Sequence, residues 1–97
     1  MDVPRLGFGT YRLTDPAACA SAVRTALETG YRHVDTAEYY ENEAAVGEGI
    51  AAGDVDRADV FLASKAWRDR LARDDFVESA RERVDLLGVD ALDLLYV

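Results

Sequence analysis

Ninety-seven residues leave room for at most one small domain, and an apolar share of 49% suits a folded chain and excludes a disordered one. Nineteen acids against eleven bases leave a net charge of −8, which argues against a nucleic-acid partner, since such a partner needs a basic face. No apolar run approaches the roughly eighteen residues of a membrane-crossing helix, and the start MDVPRLGFGT lacks the layout of a secretion signal.

The lone cysteine, Cys19, cannot close an internal disulfide and argues against a zinc site, so a reducing cytoplasm is the expected compartment. Ten of the eleven bases are arginine. The acidity reads as a solvated, solubilising surface, with adaptation to a salty habitat as the alternative.

In chain order, Val3 to Phe8 is a short strand candidate with Pro4 near its start, where a missing N–H is tolerated. Gly7-Phe8-Gly9 forms a GxG pair without the third glycine of a dinucleotide fingerprint. Gly9, Thr10 and Tyr11 turn the chain toward Thr14 or Asp15, either a fair N-cap, with Pro16 in the first helical turn. Cys19, Ala22, Val23, Ala26 and Leu27 recur at helical spacing, and Gly30 stops that helix. A second strand runs from Tyr31 to Asp35, followed by a polar turn holding Tyr39 and Tyr40.

Asn42 is the expected cap of a second helix, with Glu41 and Glu43 near its positive end and Ala45, Val46, Gly49 and Ile50 on its inner face. Gly53 to Asp59 is a polar loop. Val60 to Ser64 is almost continuously apolar, as a strand covered on both faces requires, and Lys65 and Trp67 follow it. Asp74 or Asp75 is expected to cap a third helix, with Phe76, Val77, Ala80, Val84 and Leu87 on its apolar stripe. Glu78, Arg81, Glu82 and Arg83 are placed on its polar side, and Gly88 ends it. Leu92 to Val97 is a fourth strand. Strands and helices alternate at about 27 to 30 residues, the pattern of a parallel α/β sheet with right-handed crossovers.

Three residues stand out chemically. Asp35 closes a strand, Tyr40 follows five positions later, and Lys65, the only lysine, closes the next strand. A carboxylate, a phenol and an ammonium at strand ends can move a proton if the fold gathers them. Each also has a plainer reading. Asp35 can cap the turn after it, Tyr39 and Tyr40 can be packing aromatics, and Lys65 can be a surface lysine. Trp67 can be core, Gly9 and Thr10 a simple turn, His33 a satisfied structural histidine and Cys19 a small apolar helix residue.

Four stretches sharpen the choice. GYRHVDTAEYYENEAAVG closely resembles the N-terminal signature of the aldo-keto reductase family; LASKAW resembles its lysine strand, LDLLYV the strand leading to its catalytic histidine, and PRLGFGTYR its first barrel strand. The resemblance implies the N-terminal part of a (β/α)8 TIM barrel, with about four parallel strands alternating with three helices. Residues 1–97 are then the N-terminal half of one barrel, an incomplete single domain. It implies an oxidoreductase that reduces aldehydes and ketones with NADPH, or NADH, on small-molecule carbonyl substrates. Asp35, Tyr40 and Lys65 match three of the family's four catalytic positions. Gly9, Thr10, Tyr11 and Asp35 match positions near the nicotinamide, and Trp67 and Tyr11 match the carbonyl pocket. The fourth catalytic position, a histidine, is expected directly after Val97, and the cofactor's phosphate grip comes from late strands of the barrel. The chain is therefore expected to be truncated and, alone, inactive.

The implied chemistry is coherent. A free phenol has a pKa of about 10 and is a poor acid at neutral pH; a nearby cation favours its ionised form. Lys65 would supply that charge, and Asp35 would keep Lys65 charged. Two alternatives stand beside this reading. One is a half-barrel that binds or self-associates through open sheet edges without turnover. The other is a regulatory relative of the reductases.

Overall fold

The computed structural model describes residues 3–69 and 71–97. Four parallel strands, β1 (Phe8–Gly9), β2 (His33–Asp35), β3 (Phe61–Lys65) and β4 (Leu94–Tyr96), form one sheet in the order β1-β2-β3-β4. Three helices lie between them: α1 (Pro16–Thr29), α2 (Glu43–Ala52) and α3 (Arg73–Leu87). Strand order thus follows chain order, as successive βα units of a barrel would arrange it. Among the described residues no helix is long and apolar enough to cross a membrane.

The helix ends follow local chemistry. Asp15 caps α1 by accepting the Ala18 N–H at 2.9 Å, with Pro16 at the first helical position. Gly30 ends α1 at a φ of 121°, which lets Tyr31 donate back to the Ala26 carbonyl at 3.0 Å. That bond shortens the second strand. The Tyr31 N–H belongs to the helix end, and β2 begins at His33.

The core lies between the sheet and the helices. Cys19, Val23 and Leu27 of α1 meet Ala45, Val46 and Ile50 of α2, Leu87 of α3, and Val34 and Leu62 of the strands. Cys19 is buried there as a small apolar residue, and burial raises its thiol pKa. Helix α2 sits between α1 and α3 and approaches both through glycine. A Cβ on Gly47 would collide with the Leu87 carbonyl, and one on Gly49 would stand 2.6 Å from the Ala20 carbonyl oxygen.

Several boundaries differ from expectation. The first strand covers Phe8–Gly9 rather than Val3 to Phe8, because its pairing with β2 starts only at Phe8 opposite Val34. Val3 and Leu6 are exposed. The third strand starts at Phe61, since the Val60 N–H closes a short 3-10 turn on Arg57. The fourth is limited to Leu94–Tyr96, because the Asp93 carboxylate takes the Leu62 N–H at 2.7 Å just before it.

Two helix starts also differ. Ala72 precedes α3, with Asp74 and Asp75 inside its first turn. Asn42 does stand at the N-cap of α2 but makes no capping bond. Its amide instead donates to the carbonyls of Thr10 and Leu13, and it accepts from Thr36. The inner stripe of α3 includes Ser79 and Arg83, and the assignment of Arg83 to the polar side is wrong. Its guanidinium is buried against Glu43 and Ser79, and Val77 is the exposed residue.

Candidate active site

Parallel pairing brings the C-terminal ends of the strands to one edge. Gly9, Asp35, Lys65 and Tyr96 are the last residues of β1, β2, β3 and β4. Side chains alternate between the faces of a strand. Leu62 packs into the helix-side core and Ser64 donates to Glu43 of α2, so Lys65 leaves the sheet on the other face. Asp35 leaves on that same face, because its neighbour Val34 packs into the core.

The third group arrives on a turn. After β2 the chain passes through buried Thr36 and Ala37 into a 3-10 turn, Glu38–Tyr40, closed by Glu41 at a φ of 55°. The turn places the Tyr40 hydroxyl over the strand ends. Lys65 Nζ donates to Asp35 Oδ2 at 2.6 Å, to the Thr36 carbonyl at 3.1 Å and to the Tyr40 hydroxyl at 3.3 Å. All three ammonium donors are occupied. Burial pushes the lysine toward its neutral form, but the hydrogen bonds and charges of Asp35 and Tyr40 outweigh it, and the Lys65 pKa lies above the ordinary lysine value.

Asp35 has a further partner. The Tyr96 hydroxyl donates to Asp35 Oδ1 at 2.8 Å, and the Lys65 nitrogen lies 5.0 Å from the centroids of both the Tyr40 and Tyr96 rings. Sequence reading placed Tyr96 on the fourth strand but gave it no part in the site. Its register opposite Lys65 is the missing information, and register does not follow from composition.

Aromatic side chains wall the space in front of these groups. Tyr11 packs on Tyr40 with ring centroids 5.2 Å apart, and Tyr39 stacks on Trp67 at 4.2 Å. With Arg12 they line an open cleft of about 580 Å³. A smaller cleft of about 180 Å³ lies between Tyr39, Tyr40, Lys65 and Trp67. Trp67 is therefore at the cleft and not in the core. Its backbone N–H donates to Glu38 Oε1 at 2.9 Å, which ties the Trp67 segment to the turn bearing Tyr40.

Gly9 and Thr10 behave differently from one another. A Cβ at Gly9 would meet nothing within 4 Å, so open space lies beside it, next to its register partner Asp35. Thr10 is completely buried, and its hydroxyl is spent on the Asp35 carbonyl at 3.1 Å. Its backbone N–H donates to the same carbonyl, and through these bonds the residue anchors the end of β1 to β2. His33 stands at the start of β2, two residues before Asp35, with its ring edge-on to Phe61 at 4.9 Å.

A buried ionic cluster supports the site from the helix side. Arg83 of α3 pairs with Glu43 of α2, donates to Ser79 at 2.8 Å and lies 3.2 Å from Glu38 Oε1. Ser64 of β3 donates to the other Glu43 oxygen at 2.7 Å. Burial pushes the Glu43 pKa up, against the opposing pull of Ser64 and Arg83. Sequence reading found none of these contacts; all but the Arg83–Ser79 bond join residues 21 to 45 positions apart.

Comparison with known proteins gives a consistent picture. A model described as the aldo/keto reductase family matches residues 5–97. Methylglyoxal reductase DkgB of Salmonella typhi is 44% identical over 97 residues, covering 100% of this chain and 36% of that protein. The 9,11-endoperoxide prostaglandin H2 reductase of Trypanosoma cruzi is 39% identical over 95 residues, covering 98% of this chain and 34% of that protein. Among solved structures, the aldo-keto reductase MGS-M4 from a Medee basin deep-sea metagenome superposes with a TM-score of 0.92 at 36% identity, over 98% of this chain and 35% of that one. A Bombyx mori aldo-keto reductase in complex with NADP superposes with a TM-score of 0.88 at 39% identity, over 96% and 33%. The chain thus spans about a third of the length of the relatives it matches.

Proposed function

The chain belongs to the aldo/keto reductase family, its sheet and helices being the N-terminal part of a (β/α)8 barrel, and we propose that the complete protein reduces aldehydes and ketones to alcohols with NADPH. Residues 1–97 are one incomplete domain of that protein, which works in the cytoplasm on small carbonyl compounds. Methylglyoxal, named in several relatives, is the first substrate to test.

The observation that carries the reading is the position of the Lys65 ammonium, bonded at once to Asp35 and to the Tyr40 hydroxyl. Asp35 keeps the ammonium charged. The ammonium in turn favours the negative charge that builds on the Tyr40 oxygen as its proton leaves. Tyr40 donates that proton to the substrate oxygen, and solvent returns one to the phenolate.

A nicotinamide fits the residues present. Gly9 leaves open space beside Asp35 at the strand ends, and Tyr11 offers an exposed ring next to Tyr40. Gly9, Tyr11 and Asp35 would hold the ring, and the bound cofactor supplies hydride to the carbonyl carbon. Trp67 and Tyr11 bound the cleft from which the carbonyl approaches Tyr40. NADPH consumption by the complete protein, with methylglyoxal and simple aldehydes, tests the proposal. Saturable turnover that disappears in Tyr40→Phe supports it; turnover equal in the two proteins refutes the role of Tyr40.

A further inference from the structure

A carboxylate that holds an ammonium by one oxygen can still swing about its own bond. Asp35 is held by both. Oδ2 accepts from Lys65 at 2.6 Å and Oδ1 accepts from Tyr96 at 2.8 Å. Tyr96 arrives from β4, in register opposite Lys65, so the two partners grip Asp35 from adjacent strands. The phenol ring also faces the ammonium, which lies between the rings of Tyr40 and Tyr96 at 5.0 Å from each.

We propose that Tyr96 is a positioning residue of the reductase site, which fixes Asp35 through Oδ1 and draws part of its negative charge away from Lys65. The inference rests on the reading of Tyr40 as proton donor given above. Its logic is electrostatic. A hydrogen bond to one carboxylate oxygen lowers the charge that the other presents to the ammonium. The ammonium then has more of its field free for Tyr40. The groups facing Lys65 are Asp35 from β2, Thr36 and Tyr40 from the turn behind it, and Tyr96 from β4. Burial, then the bond to Asp35, raises the Tyr96 pKa, so its proton stays in place as the donor.

The sign of the effect follows. Tyr96→Phe keeps the ring and removes only the donor. Asp35 then pulls harder on Lys65, whose titration moves to higher pH, and Tyr40 gives up its proton less readily. In the complete protein, kcat for carbonyl reduction should fall about tenfold with little change in the KM for NADPH. The alkaline limb of kcat/KM should rise by about half a pH unit. Lysines labelled at the ε carbon report independently of turnover, with the Lys65 signal assigned by its loss in Lys65→Met. Its midpoint should rise in Tyr96→Phe. A ring-fluorinated tyrosine at position 96, a stronger donor of nearly the same shape, should lower it.

An unmoved Lys65 midpoint together with an unmoved alkaline limb overturns the inference, even if kcat or melting temperature falls, since the hydroxyl would then be merely structural. Inactive Tyr40→Phe beside that result leaves the reductase reading intact. Active Tyr40→Phe removes that reading instead, and the Lys65 midpoint still decides whether Tyr96 tunes the lysine.

Discussion

The Lys65 nitrogen lies 3.3 Å from the Tyr40 oxygen, and the two residues are 25 positions apart on different elements. One is the last residue of a strand and the other the last residue of a 3-10 turn. Their meeting is a product of parallel pairing between β2 and β3, which sets Asp35 opposite Ala63 and leaves Lys65 two residues beyond.

Tyr40→Phe removes the hydroxyl and keeps the ring against Tyr11. In the complete protein, carbonyl reduction should fall about a thousandfold, within the range general acid catalysis contributes. NADPH affinity, read by fluorescence titration, should stay near that of the parent. A variant that turns over normally, or one that loses cofactor affinity to the same extent as activity, contradicts the role.

Lys65→Met leaves Asp35 without its ammonium partner. The pair is partly buried, with side chains 22% and 26% exposed, so about 2 kcal/mol should be lost at neutral pH. The lysine pKa is raised in the folded protein, so its stabilisation is complete below the unfolded value of about 10.4. It is lost as pH rises through the higher folded value. Urea unfolding of parent and variant should therefore show a constant difference from neutral to mildly alkaline pH, shrinking above it. A difference that widens with alkali rejects the assignment.

Arg83→Met strands a buried carboxylate. Glu43 would keep only Ser64, and about 3 to 5 kcal/mol of stability should be lost. The loss should be smaller in acid, where Glu43, its pKa already raised by burial, takes up a proton. Replacing Glu43 by Leu in the same protein should recover much of the loss. Denaturant midpoints of the single and double variants check this; a single variant as stable as the parent makes the cluster energetically idle.

The polypeptide of residues 1–97, produced alone, should self-associate. β1 and β4 are the outer strands of the sheet, and Leu94, Tyr96 and Val97 are exposed. Sedimentation should show species heavier than the monomer at micromolar concentration. A sharp monomeric boundary with cooperative melting runs against the expectation.

Much of the fold was legible because it is written at short range. Asp15, Pro16, Gly30 and Gly88 mark helix ends through their own backbone chemistry, and Cys19, Val23 and Leu27 recur at the helical period. Errors gathered where a partner decides. Arg83 looked like a solvated base, yet Glu43, 40 positions away, draws it inside. Asn42 stands where a cap belongs, yet its amide is more useful in joining Thr10 and Leu13.

Local chemistry along the chain determined where α1 starts and stops, where α3 stops, and that Asp35, Tyr40 and Lys65 are candidates for proton transfer. Those features depend on neighbours a few residues away, so the order of amino acids contains them. Tertiary structure alone decided that Tyr96 bonds the second oxygen of Asp35, that Thr10 is buried and that Arg83 is enclosed. Such contacts depend on strand register and helix packing, where a shift of one residue turns a side chain to the other face.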